Sequence, residues 1–259
     1  MKTPAVLKRK SRVSRVSGGR KSASYSRQVY QQLVRKIATG ELPAGVPLCE
    51  VPLAKEFQVS RTPVREAIGQ LVSEGVLHEI AGRGTIVVEP TREDIVELYQ
   101  LREALETYAV GMLAGRGLLA RDLEAIEKNV AEILAVRAEL KQTGKPALEG
   151  DLLQRFVNSD MRFHMHLLHA AGNRRFVKVI SNARLLIRIF TFRREHHTVE
   201  LLTQVHAYHR QILDAVKKKD VATATRVMRD HIRLSLEERL AEYQLEWADK
   251  SLEAEMAQF

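Results

Sequence analysis

The chain has 259 residues, 45% hydrophobic and 28% charged, an ordinary globular composition at a length that accommodates two modest domains. No apolar run approaches the roughly 18 residues that suggest a membrane span, and the start lacks the apolar core of a secretory signal. A lone cysteine, Cys49, excludes an internal disulfide framework and fits a reducing cytoplasm.

The formal net charge of +9 is unevenly placed. Residues 1–24 hold eight Lys and Arg and no acid, whereas residues 25–90 hold seven charges of each sign. Residues 91–259 hold 26 basic against 25 acidic side chains. The first segment, rich in Lys, Arg, Ser and Gly, is too poor in apolar side chains to offset ordering entropy. A flexible basic arm is expected there.

From Ser26 the pattern changes. Val29, Leu33 and Ile37 recur every four residues, Tyr30 and Val34 widen the stripe, and Gly40 ends the helix. Pro43, Gly45 and Pro47 predict a loop. A short helix follows, with Pro52 in its first turn and Leu53, Ala54 and Phe57 facing inward. After a break at Gln58-Val59, Ser60 to Pro63 mark another helix start. That helix buries Val64, Ala67, Ile68, Leu71 and Val72 and stops at Gly75. Residues 76–80 and 85–89 read as two strands of a hairpin around residues 81–84, and Pro90 closes the unit. Helix, helix, turn, helix and hairpin is the layout of a winged helix-turn-helix.

Beyond Pro90 no strand signal remains. Thr91 with Asp94 predicts a capping pair, opening a helix with Ile95, Leu98, Leu105, Ala109 and Met112 on its apolar face. Further helices are expected over 120–142, 148–171, 174–194, 199–218 and 220–247, with short breaks between them. The expected fold is therefore mainly α: a winged head over 25–90, then an antiparallel all-α bundle over 91–247. Residues 248–259 are read as a C-terminal tail, and no internal repeat is evident.

A helix entering the major groove needs small or hydroxyl side chains at its start and long donors beyond them. Arg61 and Arg65 lie four apart, hence on one face. Ser60 and Thr62, with free backbone N–H groups, suit phosphate. Arg83, between Gly82 and Gly84, tips the hairpin where a wing reaches neighbouring DNA. Singly, each arginine reads equally well as a solvated or capping charge; together on this frame they favour double-stranded DNA.

Eight of the nine histidines fall between positions 164 and 231. Asp160 and His164, at i and i+4, face one point, a common metal-binding spacing. His209 and His231 lie on the two following helices. From the residues alone, His166, His169 and His206 remain rival ligands.

Two stretches carry a family resemblance. The run "VSRTPVREAIGQLVSEGVL" (59–77), followed by the "GRG" tip, resembles the GntR family of bacterial winged-helix regulators. "LYQLREALE" (98–106), "DMRFH" (160–164), "AAGN" (170–173), "YHRQILDAV" (208–216) and "MRDH" (228–231) resemble the FCD ligand-sensing domain of its FadR-like branch. The resemblance implies a non-enzymatic, cytoplasmic regulator, a repressor acting as a homodimer on a two-fold operator. It implies DNA contacts at Arg61, Thr62, Arg65, Gly82 and Arg83. Many members also carry an operator-contacting arginine after a glutamate early in the second helix. The residue following Glu50 here is Val51.

The metal-binding FCD subset implies Asp160, His164, His209 and His231 as ligands. One carboxylate and three imidazoles suit a divalent transition metal, zinc or nickel foremost, with a coordination position left for a small organic acid effector. Arg102 resembles the effector-anchoring arginine of such pockets, against the plainer role of an ion pair with Glu103, Glu106 or another helix. Asn173 is a second effector candidate, against the plainer role of capping the C-terminus of the metal helix. Three alternatives stay open: the ion is itself the signal, the site hydrolyses a substrate, or the pocket takes an acyl chain.

Overall fold

The computed structural model describes residues 17–38, 41–82, 84–88, 90–192 and 197–256. Its first helix, α1 (Ser17–Ala38), buries Val29, Leu33, Val34 and Ile37, the stripe that the four-residue recurrence predicts. The helix begins at Ser17, ahead of the expected Ser26, so the end of the expected arm is helical backbone. Residues 1–16 lie outside the described residues.

A short strand, β1 (Pro47–Leu48), occupies the stretch expected to be loop. Proline lacks the ladder N–H and is tolerated at a sheet edge, which is where β1 sits. Helix α2 (Glu50–Glu56) and helix α3 (Arg61–Ser73) follow, joined by a tight turn in which Gln58 takes a left-handed φ of 55°. Helix α3 buries Val64, Ala67, Ile68 and Leu71 against the head core. Strands β2 (Leu77–Ile80) and β3 (Gly84–Val87) form the antiparallel hairpin, with Leu77 opposite Val87 and Ile80 opposite Gly84. The sheet order β1-β3-β2 completes a winged helix-turn-helix.

Six helices build the second part: α4 (Arg92–Arg116), α5 (Ala120–Thr143), α6 (Gly150–Ala171), α7 (Arg174–Phe192), α8 (Val199–Lys217) and α9 (Val221–Met256). Helix α4 opens on a capping box, in which Asp94 N–H donates to Thr91 Oγ1 and Thr91 N–H donates to Asp94 Oδ2. Its inward stripe runs through Ile95, Leu98, Arg102, Glu106, Ala109 and Leu113, all buried. Met112, expected on that face, is instead 40% exposed, and Leu105 is only half-buried. Two charged residues displace them from the centre of the core face. Helix α9 continues to Met256, so residues 248–256 are helix rather than the expected tail.

Helices α4 and α9 pack closely, with Gly111 admitting Thr225 where an added Cβ would lie 2.8 Å from the threonine methyl. Head and bundle meet where α1 packs on α7, and one buried apolar cluster extends from Leu33 and Leu71 to Val110 and Ile212. Among the described residues, no helix is long and apolar enough to cross a membrane.

Candidate metal centre and nucleic-acid interface

Helix α3 begins with Ser60 at its N-cap in extended backbone, φ −71° and ψ 168°. The Ser60 side chain makes no capping hydrogen bond, so the first N–H groups of the helix face outward unclaimed by it. Ser60, Arg61, Thr62 and Arg65 are all exposed, and Gly82 turns the hairpin at φ +76°. Arg83 lies outside the described residues. Val51, at the position where the family often carries arginine, is exposed on α2.

A residue that the sequence reading left without a role binds this face together. Glu50 accepts from Arg65 at two points, Nε to Oε1 at 2.7 Å and Nη2 to Oε2 at 2.8 Å. It also accepts from Arg61 Nη2 at 3.1 Å. The hydrogen bonds from Arg65 pull the Glu50 carboxyl down to about 2, burial opposing and Arg61 assisting. The one sequence signal was the position of Glu50 in the first turn of α2, where an acid also suits the helix dipole.

In the bundle, α6 presents Asp160 and His164 one turn apart, α8 presents His209 and α9 presents His231. One ligand atom from each lies within 4.8 Å of the others, so the four expected residues come together. The Nε2 atoms of His209 and His231 are 3.2 Å apart, and those of His231 and His164 are 3.3 Å apart. Asp160 Oδ1 stands 3.5 Å from His209 Nε2 and 3.9 Å from His164 Nε2. Nitrogens bound at about 2.0–2.1 Å to one tetrahedral ion are about 3.3 Å apart. The spacing matches.

The chemistry of the set agrees with a cation. His164, His209 and His231 are all buried, and burial pushes His209 well below the ordinary imidazole range, with His231 and His164 adding to the shift. Neutral imidazoles facing one another place lone pairs together, and a proton on one Nε2 satisfies only one neighbour. Phe163 stacks on His209 with centroids 3.7 Å apart and fixes that ring.

The rival histidines face elsewhere. Asn129 Nδ2 lies 3.1 Å from His166 Nδ1, while His206 is half-buried beside Arg137 and Arg210 and His169 is exposed.

Arg102 is buried, and its Nε donates to Glu106 Oε1 at 2.9 Å, which is the ion-pair alternative read from the sequence. The other carboxylate oxygen of Glu106 lies 2.6 Å from His164 Nδ1. Glu106 is the second residue that sequence reasoning missed as part of a site. Its signal was the i, i+4 spacing from Arg102 on a face otherwise apolar. Asn173 does not cap α6, because Gly172 takes the left-handed C-cap there. Instead Asn173 Oδ1 accepts from the N–H groups of Arg175 and Phe176, capping the start of α7. With its side-chain oxygen committed to that turn, the expected C-terminal cap is corrected to an N-terminal one.

A winged head with exposed arginines on its third helix, joined to a helical bundle, defines a two-domain DNA-binding transcriptional regulator. Residues 25–87 match the family described as bacterial regulatory proteins, gntR family, and residues 97–234 match the FCD domain. The chain belongs to the GntR family, in the branch that carries an FCD domain.

It is 30% identical over 205 residues to the probable D-xylose utilization operon transcriptional repressor of Paenarthrobacter nicotinovorans, covering 79% of this chain and 84% of that one. It is 29% identical over 207 residues to the uncharacterized HTH-type transcriptional regulator YdhC of Bacillus subtilis, covering 79% and 86%. In fold it is similar to E. coli McbR/YncC, with a TM-score of 0.69 at 21% identity, covering 85% of this chain and 98% of that one.

Proposed function

We propose that this regulator is a repressor whose bundle holds one divalent transition metal, zinc or nickel foremost, and senses a small carboxylate through it. The convergence of Asp160 and three Nε2 atoms within 4.8 Å carries the reading. Asp160, His164, His209 and His231 hold the ion, which when bound supplies a Lewis-acid position for an anionic ligand. Arg102 stands on the inward face of α4 near Asp160, and its Nε is committed to Glu106. Its terminal nitrogens are the groups available to a carboxylate.

Residues 25–90 read DNA through Ser60, Arg61, Thr62, Arg65, Gly82 and Arg83, and residues 91–247 sense the ligand and pair two copies. One head covers too few base pairs for useful specificity, so a homodimer on a two-fold operator is the functional unit. The effector then acts by binding two arrangements of the heads with different affinity.

The test is elemental analysis of the purified chain beside His209→Ala, with binding to a duplex selected from a random-sequence pool measured in parallel. The expected result is about one metal per chain, lost in the variant, and a carboxylate-dependent change in DNA affinity only with metal present. Full metal retention by His209→Ala removes that ligand assignment.

A further inference from the structure

Glu106 is only 3% exposed, in the centre of the face that α4 turns toward the metal-ligand cluster. Arginine–carboxylate pairs are frequently bidentate, with two parallel N–H···O bonds from one guanidinium. Here the fork is not filled. Arg102 Nε takes Oε1 at 2.9 Å, while Oε2 stands 2.6 Å from His164 Nδ1. The carboxylate is divided between a cation on its own helix and an imidazole on α6.

We propose that Glu106 is a positioning residue for the metal centre, holding the Nδ1 proton of His164 so that Nε2 presents its lone pair to the ion. This rests on the reading of Asp160, His164, His209 and His231 as metal ligands. A histidine ligand needs its ring orientation and tautomer set by its other nitrogen, and a carboxylate there also raises donor strength. His209 receives its orientation differently, from the face of Phe163. His164 stacks parallel to His231 at 5.2 Å, and its Nδ1 turns to the Glu106 carboxylate.

The buried Glu106 carboxylate lies between the Arg102 guanidinium on its own helix and the His164 ring on α6. Arg102 in turn supports the carboxylate, so an anion that draws the guanidinium toward itself loosens Oε1 and leaves Glu106 to His164 alone. The anion position and the metal ligand thus share one carboxylate.

The experiment uses the full chain in three forms: wild type, Glu106→Gln, and the double variant Arg102→Gln/Glu106→Gln, which strands no buried charge. Zinc affinity is measured by competition with a chromophoric chelator. The tautomer of His164 is read separately from imidazole 15N shifts of metal-free protein. Loss of the carboxylate is expected to weaken zinc about 10–100-fold and to move His164 from the Nδ1–H form to a mixture of tautomers. If Glu106→Gln does not fold, the double variant decides. Wild-type zinc affinity together with an unchanged His164 tautomer in the double variant overturns the role of Glu106 alone. Failure of the wild-type chain to hold zinc against the chelator overturns the four-ligand reading, and the positioning role with it.

Discussion

Glu50 grips Arg65 with both carboxylate oxygens, at 2.7 and 2.8 Å, so the first turn of α2 decides where the principal cation of α3 points. Arg61 shares the same carboxylate at 3.1 Å. Both arginines keep most of their side-chain surface in solvent, 61% for Arg61 and 66% for Arg65, and remain open to a duplex. The head is held to a net charge near zero partly by this acid, which orders the arginines at the expense of their free charge.

Glu50→Gln is therefore expected to raise affinity for random-sequence duplex at low salt, while selected duplex gains less or loses. One freed cation steepens the salt dependence by up to about one counterion. Binding to both duplexes across a salt series measures this. An unchanged ratio between them removes the ordering role of Glu50. In the same assay Arg65→Ala costs about 1–3 kcal/mol on the selected site if it reads a base edge.

The depressed carboxyl of Glu50 also sets a pH window. Its folded value of about 2 lies below the ordinary carboxylate value, so its contribution to stability is complete above that ordinary value. The contribution is lost as pH falls through about 2. Carboxyl 13C shifts followed by NMR are expected to show Glu50 still ionised where exposed glutamates are half protonated. Arg65→Ala brings its titration up toward the ordinary range, because the largest cause of the depression is gone.

Residues 1–16 carry six of the basic side chains and no acid. Removing them leaves α1 whole, since that helix starts at Ser17. The truncated protein is expected to bind DNA more weakly at low salt and with a flatter salt slope, because fewer counterions are released. An identical slope assigns the segment no contact with phosphate.

Two helical glycines are expected to respond oppositely to alanine. Gly69 in α3 has open space where a Cβ would go, so Gly69→Ala raises stability by up to about 1 kcal/mol through helix propensity. A Cβ added at Gly111 in α4 would lie 2.8 Å from the Thr225 methyl, so Gly111→Ala makes Thr225 or the α4–α9 packing give way and costs about 1–3 kcal/mol. Chemical denaturation of the two variants gives the signs directly.

The winged head was legible because its signals are local: four-residue recurrence in α1, Ser60 before α3, and Gly82 and Gly84 bounding the hairpin turn. Asp160 and His164 were legible for the same reason, being one turn apart. Choosing His209 and His231 over His166 and His206 needed the family resemblance, because ligation there depends on which faces three separate helices turn inward. Glu106 and Glu50 act through partners up to 58 positions away, so their local cues, a spacing of four from Arg102 and a place in a first helical turn, do not reveal what they touch. Strand β1 was hidden by its proline and its length of two residues, since it exists only as an edge against β3. Met112 was misplaced because apolar spacing alone could not foresee that Arg102 and Glu106 hold the centre of the α4 core face.

Helix α4 runs unbroken from its capping box at Thr91 to Arg116, with Arg102 and Glu106 midway along it. The residues beside the metal-ligand cluster and the base of the wing thus belong to one continuous helix. At about 1.5 Å of rise per residue, Glu106 stands about 20 Å from the cap. A displacement of α4 at Glu106 therefore has a continuous helical route to Thr91, the residue that follows the wing.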